Sequence, residues 1–426
     1  MTEIDAPPAP APRRRLRNHA TRVAAVLLAG SLALTGCSTT STDAAAGSTT
    51  GSTASSSSSI TDAAASSTTD ATTTAQTIGD TTAAAEAFLA TLSEEQREAV
   101  LHAYDDETRT TSWSNFPVTF VERAGLNLTD LTTEQQSAAL AVLQSLLSEE
   151  AYATVTAIMG GDQYLAENSS STEESLGQYY IAFFGDPSTT TAFEVQFGGH
   201  HLGINATLDG ASDAITFAPT HLGVQPAVYT DADGDEVQPF DGIYTDAFAF
   251  FDSLTAEQQA TLTSGEVSSC APGDTCDFAT GTGLTGAELT DEQEQLLLEL
   301  IANWAGMADA ESTATTLAEI EATLDDTVIA WSGETTYDMS TGDGISFSIS
   351  GPDVYVSFQA QNGSAGADVD GVTTSGWGHV HTIYRDPTND YAGSVTQQAA
   401  SGMGGGGAPG GAPSGGAPSG GAPSGE

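Results

Sequence analysis

One short string recurs five times in this chain: a leucine, a hydroxyl residue, then acids and, in most copies, a glutamine. It reads Leu92-Ser93-Glu94-Glu95-Gln96, Leu131-Thr132-Thr133-Glu134-Gln135, Leu147-Ser148-Glu149-Glu150, Leu254-Thr255-Ala256-Glu257-Gln258 and Leu289-Thr290-Asp291-Glu292-Gln293. Each copy predicts a helix start. The Ser or Thr oxygen accepts from backbone N–H groups that the first turn leaves unpaired. The Gln three residues on can bond back, making a capping box with the leucine placed to staple it. The acids suit the positive end of the helix dipole. Apolar stripes follow, as in Leu140 to Leu143 and Leu296 to Ile301. These are core positions, so the acids beside them read as caps and not as catalytic carboxylates.

Two β-regions separate the helices. In the first, about residues 178–240, Phe193, Val195 and Phe197 alternate with Ala192, Glu194 and Gln196, and Leu202, Ile204 and Ala206 follow after Gly198-Gly199. Period-two alternation broken by Gly-Gly predicts an antiparallel hairpin. The second, about residues 327–384, holds Val328 to Trp331, Ile345 to Ile349, Val354 to Phe358 and a last strand with His379, His381 and Ile383. Helices, strands, helices, strands is the order of an α+β fold with a mostly antiparallel sheet formed by both β-regions.

The ends of the chain are not part of that fold. Arg13, Arg14, Arg15, Arg17 and Arg22 precede an apolar run from Val23 to Leu34 that closes on Leu34-Thr35-Gly36-Cys37. That pattern resembles a bacterial lipoprotein signal over residues 1–36, with Cys37 as the lipidated first residue of the mature protein. Residues 37–80 are Ser, Thr, Ala and Gly without apolar periodicity, read as a flexible tether. Residues 394–426 are Gly-Ala-Pro-Ser repeats, read as a disordered tail. One folded domain is expected over residues 81–393, on the outer face of the cell membrane and held there by its lipid anchor.

Charge narrows the partners. The chain has 57 acidic residues against nine basic ones, all arginine, for a formal net charge of −48. Nucleic-acid binding is excluded, because it depends on phosphate neutralisation by Lys and Arg. Four arginines lie outside the signal: Arg97, Arg109, Arg123 and Arg385. Carboxylate partners are the expectation for the first three. Cys270 and Cys276 flank Pro-Gly and predict a small disulfide loop, which an exported protein permits.

Five of the seven histidines lie in three glycine-flanked strings: His200-His201, His221 and His379-Val380-His381. In a strand, His379 and His381 share a face. His200 and His201 would point to opposite faces of a regular strand, unless a turn or bulge at Gly198-Gly199 re-aims one. Three imidazoles plus water make a catalytic zinc site, and copper also favours imidazole. Asp386, Asp390 or Glu194 are candidates to complete the shell or orient a ring. The competing reading packs all of these rings as structural members of the sheet. His221 is expected to be structural and His102 to sit on the first helix. Asp105, Asp106, Glu107 and Arg109, ahead of Trp113, form either a pocket edge or an ion pair beside a packed ring. Asp231-Ala232-Asp233-Gly234-Asp235 opens like a calcium loop, but Glu236 and Gly242 stand where the loop needs Gly and Glu. An acidic hairpin turn with at most weak calcium binding is expected there. Nucleophile elbows and phosphate-cradling loops are absent.

Several strings resemble a family of exported bacterial proteins known as domain of unknown function 3500. They are Asp186-Pro187, Phe197-Gly198-Gly199-His200-His201-Leu202, the Pro219 to Pro226 stretch, Trp331-Ser332-Gly333, Gly351-Pro352, and His379-Val380-His381 continuing through Arg385-Asp386-Pro387-Thr388-Asn389-Asp390-Tyr391. The likeness covers roughly residues 85–393. One departure is Ala392, where the pattern has Gly directly after Tyr. The resemblance implies an exported single-domain protein and no reaction. From the residues, metal-assisted hydrolysis is the most economical chemistry, with His200, His201, His379 and His381 on zinc or copper, Asp386 taking a proton and Arg385 holding an anionic group. The alternative is a non-catalytic envelope protein that binds a small-molecule or cell-wall ligand and keeps its histidines for structure.

Overall fold

The computed structural model describes residues 72–171, 173, 176–263, 270–272 and 282–395. Cys37, Cys276, the signal and most of the tether and tail lie outside the described residues. Helices and sheet alternate as α1 (Thr74–Ala90), α2 (Glu94–Val100), β1 (Leu101–His102), β2 (Leu126–Asn127), α3 (Thr133–Leu146), α4 (Glu149–Asn168), β3 (Tyr180–Phe184), β4 (Ala192–Gly198), β5 (Leu202–Asp209), β6 (Ala214–Thr216) and β7 (Thr220–Val224). A small hairpin follows, β8 (Tyr229–Thr230) and β9 (Glu236–Val237). Then come α5 (Asp241–Ser253), α6 (Ala256–Gln259), β10 (Leu284–Thr285), α7 (Asp291–Ala305), α8 (Ala310–Glu321), β11 (Val328–Gly333), β12 (Ile345–Ser350), β13 (Tyr355–Gln361) and β14 (Gly376–Arg385).

Each recurring string begins a helix. Ser93, Thr132, Thr255 and Thr290 accept from the glutamine N–H three residues on, and the glutamine side chain reaches back to the cap N–H. Ser148 caps α4 by accepting from Ala151 N–H. A cap of this kind is worth about 1 kcal/mol.

Twelve strands form one sheet in the order β1-β3-β4-β5-β7-β14-β13-β12-β11-β10, with β2 on β3 and β6 on β5. The fold is α+β. Among the described pairs only β1 with β3 is parallel. The two β-regions therefore meet in the middle, where β7 lies antiparallel to β14.

Alternation separates the two faces. Phe193, Val195, Phe197, Leu202, Ile204, Ala206, Val356 and Phe358 share the main hydrophobic core with the helices. Fully burying one such side chain contributes roughly 1.5–3 kcal/mol. The other face carries Glu194, Gln196, Asn205, His221, His379 and His381, and all of these are buried too. Loops cover that face: Trp113 packs with Cys270, Tyr355 and Ile383.

Two expectations change here. The fold begins at Thr74, inside the stretch read as tether, because α1 buries threonines and alanines such as Thr77, Thr81 and Ala85, which carry no obvious apolar stripe. His102 is on β1 and not on a helix; its ring stacks on Phe184 at 4.9 Å. No helix among the described residues is long and apolar enough to cross a membrane.

Candidate metal centre

His200 and His201 occupy the turn between β4 and β5. Gly199 N–H donates to Leu202 O at 2.8 Å and closes it. A Cβ on Gly199 would lie 2.4 Å from Gln178 O, so only glycine fits. The turn brings both rings to one side, stacked with centroids 4.2 Å apart and 19° between planes.

His379 and His381 come from β14, two rows of the sheet away. Gly223 of β7 lies between the two sources: it pairs with His381, and its N–H donates to His201 O at 2.7 Å. A side chain there would press on the His201 ring, whose Cδ2 is 3.3 Å from the position of a Cβ. The bare glycine leaves room for the rings to meet. His201 stands 5.2 Å from His381 and 5.7 Å from His379, centroid to centroid. One ring nitrogen each from His200, His201 and His381 falls within 4.8 Å of the others. His379 Nε2 is 3.1 Å from His381 Nε2.

The outward nitrogens are anchored. His201 Nδ1 lies 2.5 Å from Asp162 Oδ1, and Tyr179 donates its hydroxyl to Asp162 Oδ2 at 2.7 Å. His200 Nδ1 lies 3.1 Å from Glu173 Oε1. His379 Nδ1 lies 3.3 Å from Gly363 O. These contacts favour protons on Nδ1, which leaves lone pairs on Nε2 aimed inward. His201 Nε2 is buried with no hydrogen-bond partner, as is His381 Nδ1.

Burial disfavours the charged form of His200, His379 and His381. Burial lowers the His379 pKa to about 3, helped by His201, and lowers His381 well below its ordinary value, helped by His379. Burial also lowers His200, with Glu173 pulling the other way. Neutral imidazole is the ligating form. Two nitrogens held about 2.1 Å from one ion at a tetrahedral angle stand about 3.4 Å apart. The 3.1 Å between His379 and His381 is close to that separation. The buried triad His200, His201 and His381 could hold a metal ion.

Of the four sequence-chosen histidines, His200, His201 and His381 converge and His379 adjoins them through His381, but their expected helpers do not join them. Arg385 and Asp386 lie at and just past the end of β14. Four residues of strand place Arg385 about 13 Å beyond His381. Arg385 Nε donates to Asp390 Oδ2 at 2.6 Å, and Asp386 accepts from Thr388 and Asn389 N–H, both at 2.9 Å. Glu194 pairs with Arg109 at 3.1 Å. The carboxylates at the site are Asp162 and Glu173. Asp162 had a signal: with Val155, Ile158 and Leu165 it occupies the buried stripe of α4, an acid at a core position. Glu173 had none.

His221 is fully buried beside His381, its ring nitrogens 2.7 Å from Thr382 O and 3.2 Å from His200 O. Of the arginines, only Arg109 and Arg385 meet carboxylates in the contacts described above. Arg97 donates to Leu89 O at 2.7 Å. Arg123 donates to carbonyls of Ser114, Phe116 and Gly199, so it ties the covering loop to the histidine turn. Arg109 packs over Tyr104 and Tyr391, and Trp113 bonds the Tyr391 hydroxyl at 2.8 Å; Asp105 and Glu107 are exposed and Asp106 caps Thr108, so the carboxyl group beside Arg109 is Glu194 and none of those three. Cys270 is disulfide-bonded, with its expected partner Cys276 outside the described residues. Asp231 accepts from Asp233 and Asp235 N–H at the β8–β9 turn, as an acidic hairpin does.

Residues 74–393 match the DUF3500 family, described as a protein of unknown function, and the chain belongs to that family. Comparison with curated proteins returned no match, and comparison with solved structures returned none.

Proposed function

We propose that this DUF3500 member is a lipid-anchored exterior protein that binds one transition-metal ion through His200, His201, His379 and His381, with metal-assisted hydrolysis as its chemistry. One observation carries the reading: His201, anchored through Nδ1 on Asp162, turns a buried, partnerless Nε2 toward His379 and His381, whose Nε2 atoms lie 3.1 Å apart. Unpaired buried polar atoms are costly, and a bound ion satisfies them. Asp162 and Glu173 act on the far nitrogens, where a carboxylate fixes the ring and raises its basicity. All-nitrogen donors suit zinc and copper.

An ion held by three of these four imidazoles would keep one position for water and would acidify it. A cleft of about 280 Å³ has Tyr164, Tyr229, Trp377 and Gly378 in its wall, and none of the four histidines lines it. The competing reading, a non-catalytic binding protein, predicts a closed site or none.

Elemental analysis decides first. Stoichiometric metal in the wild type, lost in His379→Ala/His381→Ala, is the expected result; a metal-free wild type sinks the reading. Cobalt substitution then separates the chemistries. A spectrum that changes on adding azide marks an open ligand position, and an indifferent one marks a closed, non-hydrolytic site.

A further inference from the structure

The chain repeats itself. In the first half, Gln135 of α3 donates to Gln96 Oε1 at 3.0 Å and to Thr91 O, just past the end of α1, at 3.0 Å. In the second, Gln293 of α7 donates to Gln258 Oε1 at 3.0 Å and to Ser253 O, at the end of α5, at 2.8 Å. Both glutamines also close the capping box of their own helix.

The strands match as well. Leu126 of β2 pairs with Ile181 of β3, and Leu284 of β10 pairs with Ile329 of β11. Two residues past each of those, Leu128 N–H donates to Tyr179 O at 2.8 Å and Gly286 N–H to Thr327 O at 2.9 Å. A single 3₁₀ turn then leads into the boxed helix in both halves. Ile181 pairs with Phe197 and Phe197 with Ile204; Ile329 pairs with Ile349 and Ile349 with Val356. The turn between those last two strands is closed by Gly199 N–H on Leu202 O at 2.8 Å and by Gly351 N–H on Val354 O at 2.7 Å.

Outward from the β7·β14 pair, the sheet reads β5-β4-β3-β2 on one side and β13-β12-β11-β10 on the other. An antiparallel central pair is what a two-fold axis between two like units produces. The likeness is incomplete, since β1 and β6 have no counterparts among the described residues.

The metal centre breaks the symmetry. Where the first turn has His200 and His201, the second has Pro352, exposed, and Asp353, which accepts from Thr388 Oγ1 at 2.9 Å. His200, His201 and Asp162 belong to the first unit, whereas His379 and His381 belong to the second. The ligands face each other across the β7·β14 seam.

We propose that the protein is two copies of one α+β unit joined at the β7·β14 seam, and that the bound ion bridges the copies, so that metal occupancy sets how tightly they hold together. The bridging part rests on the metal reading above. The test uses the full-length chain with a protease site placed between Asp233 and Gly234, in the exposed β8–β9 turn. After cutting, the metal-loaded pieces are expected to co-elute as one particle with an unchanged far-UV dichroism spectrum. Chelation is expected to weaken their association by about tenfold or more, the usual size of such coupling. The cut His379→Ala/His381→Ala protein should behave as the chelated one. Loaded pieces that fall apart, or that associate equally with and without the ion, overturn the proposal. An intact chain that binds no ion fails the metal reading; one that binds it while its cut pieces ignore it fails only the bridge.

Discussion

Two buried polar clusters lie on the loop-covered face of the sheet, and they differ in one respect. Around Arg109 and Arg385 the groups close on each other: Arg109 with Glu194 and Tyr104 O, Arg385 with Asp390, Trp113 with Tyr391. Around the histidines the outside closes on Asp162, Glu173 and Gly363, and His379 Nε2 meets His381 Nε2 at 3.1 Å, but His201 Nε2 and His381 Nδ1 are left without a partner. A closed polar network stabilises a fold without help. An open one needs something to fill it.

Metal removal tests the contrast most strongly. An ion present at about a thousand times its Kd stabilises by about 4 kcal/mol. Chelation should therefore lower the melting temperature by on the order of 10 °C, and a scan that does not move would make the histidine cluster as self-sufficient as the arginine one. Asp162→Asn should come next. It keeps an oxygen near His201 but removes the anion, and metal affinity should fall about 10–100-fold by titration calorimetry. Equal affinity would mean that the carboxylate is only packing.

The arginine cluster should answer to pH and not to metal. Burial pushes the Glu194 carboxyl up to about 8, against the pull of Arg109, Gln196 and Thr207. The folded chain then holds a proton that the unfolded chain releases near 4.5. The stability involved is fully present below the unfolded value and is lost as pH rises through about 8. Glu194→Gln should flatten that fall in melting temperature between pH 5 and 8, with metal content unchanged. A parallel slope in both proteins would contradict the assignment. The smallest effect belongs to Ala392, which holds φ at +55° beside Tyr391. Left-handed backbone costs a non-glycine residue roughly 1–2 kcal/mol. Ala392→Gly should stabilise by about 1 kcal/mol in urea titrations, and a destabilised variant would show that the methyl packs usefully.

Much of this was legible locally. A capping box spans four residues, so Thr132 and Gln135 reveal it without any knowledge of the fold. Strand alternation around Phe193 and Phe347 is equally local. Glycine beside His200 marked a turn, and His379 with His381 marked one face of a strand. The helpers were illegible. Asp386 and Arg385 are near His381 in sequence, but strand rise carries them away from it. Asp162 is far in sequence and adjacent in space. Arg123 chose backbone carbonyls over any acid, a choice that composition does not reveal.

Sequence alone determined where helices begin, which strand positions face the core and which residue types can bind a metal, because those depend on neighbours a few residues apart. Tertiary structure decided that His200 and His201 meet His379 and His381. That meeting needs β5, β7 and β14 to lie side by side, and pairing between segments well over a hundred residues apart is set by the packing of the whole sheet. The same sheet order placed Asp162 behind His201 and left its counterpart turn, Pro352-Asp353, without a ligand.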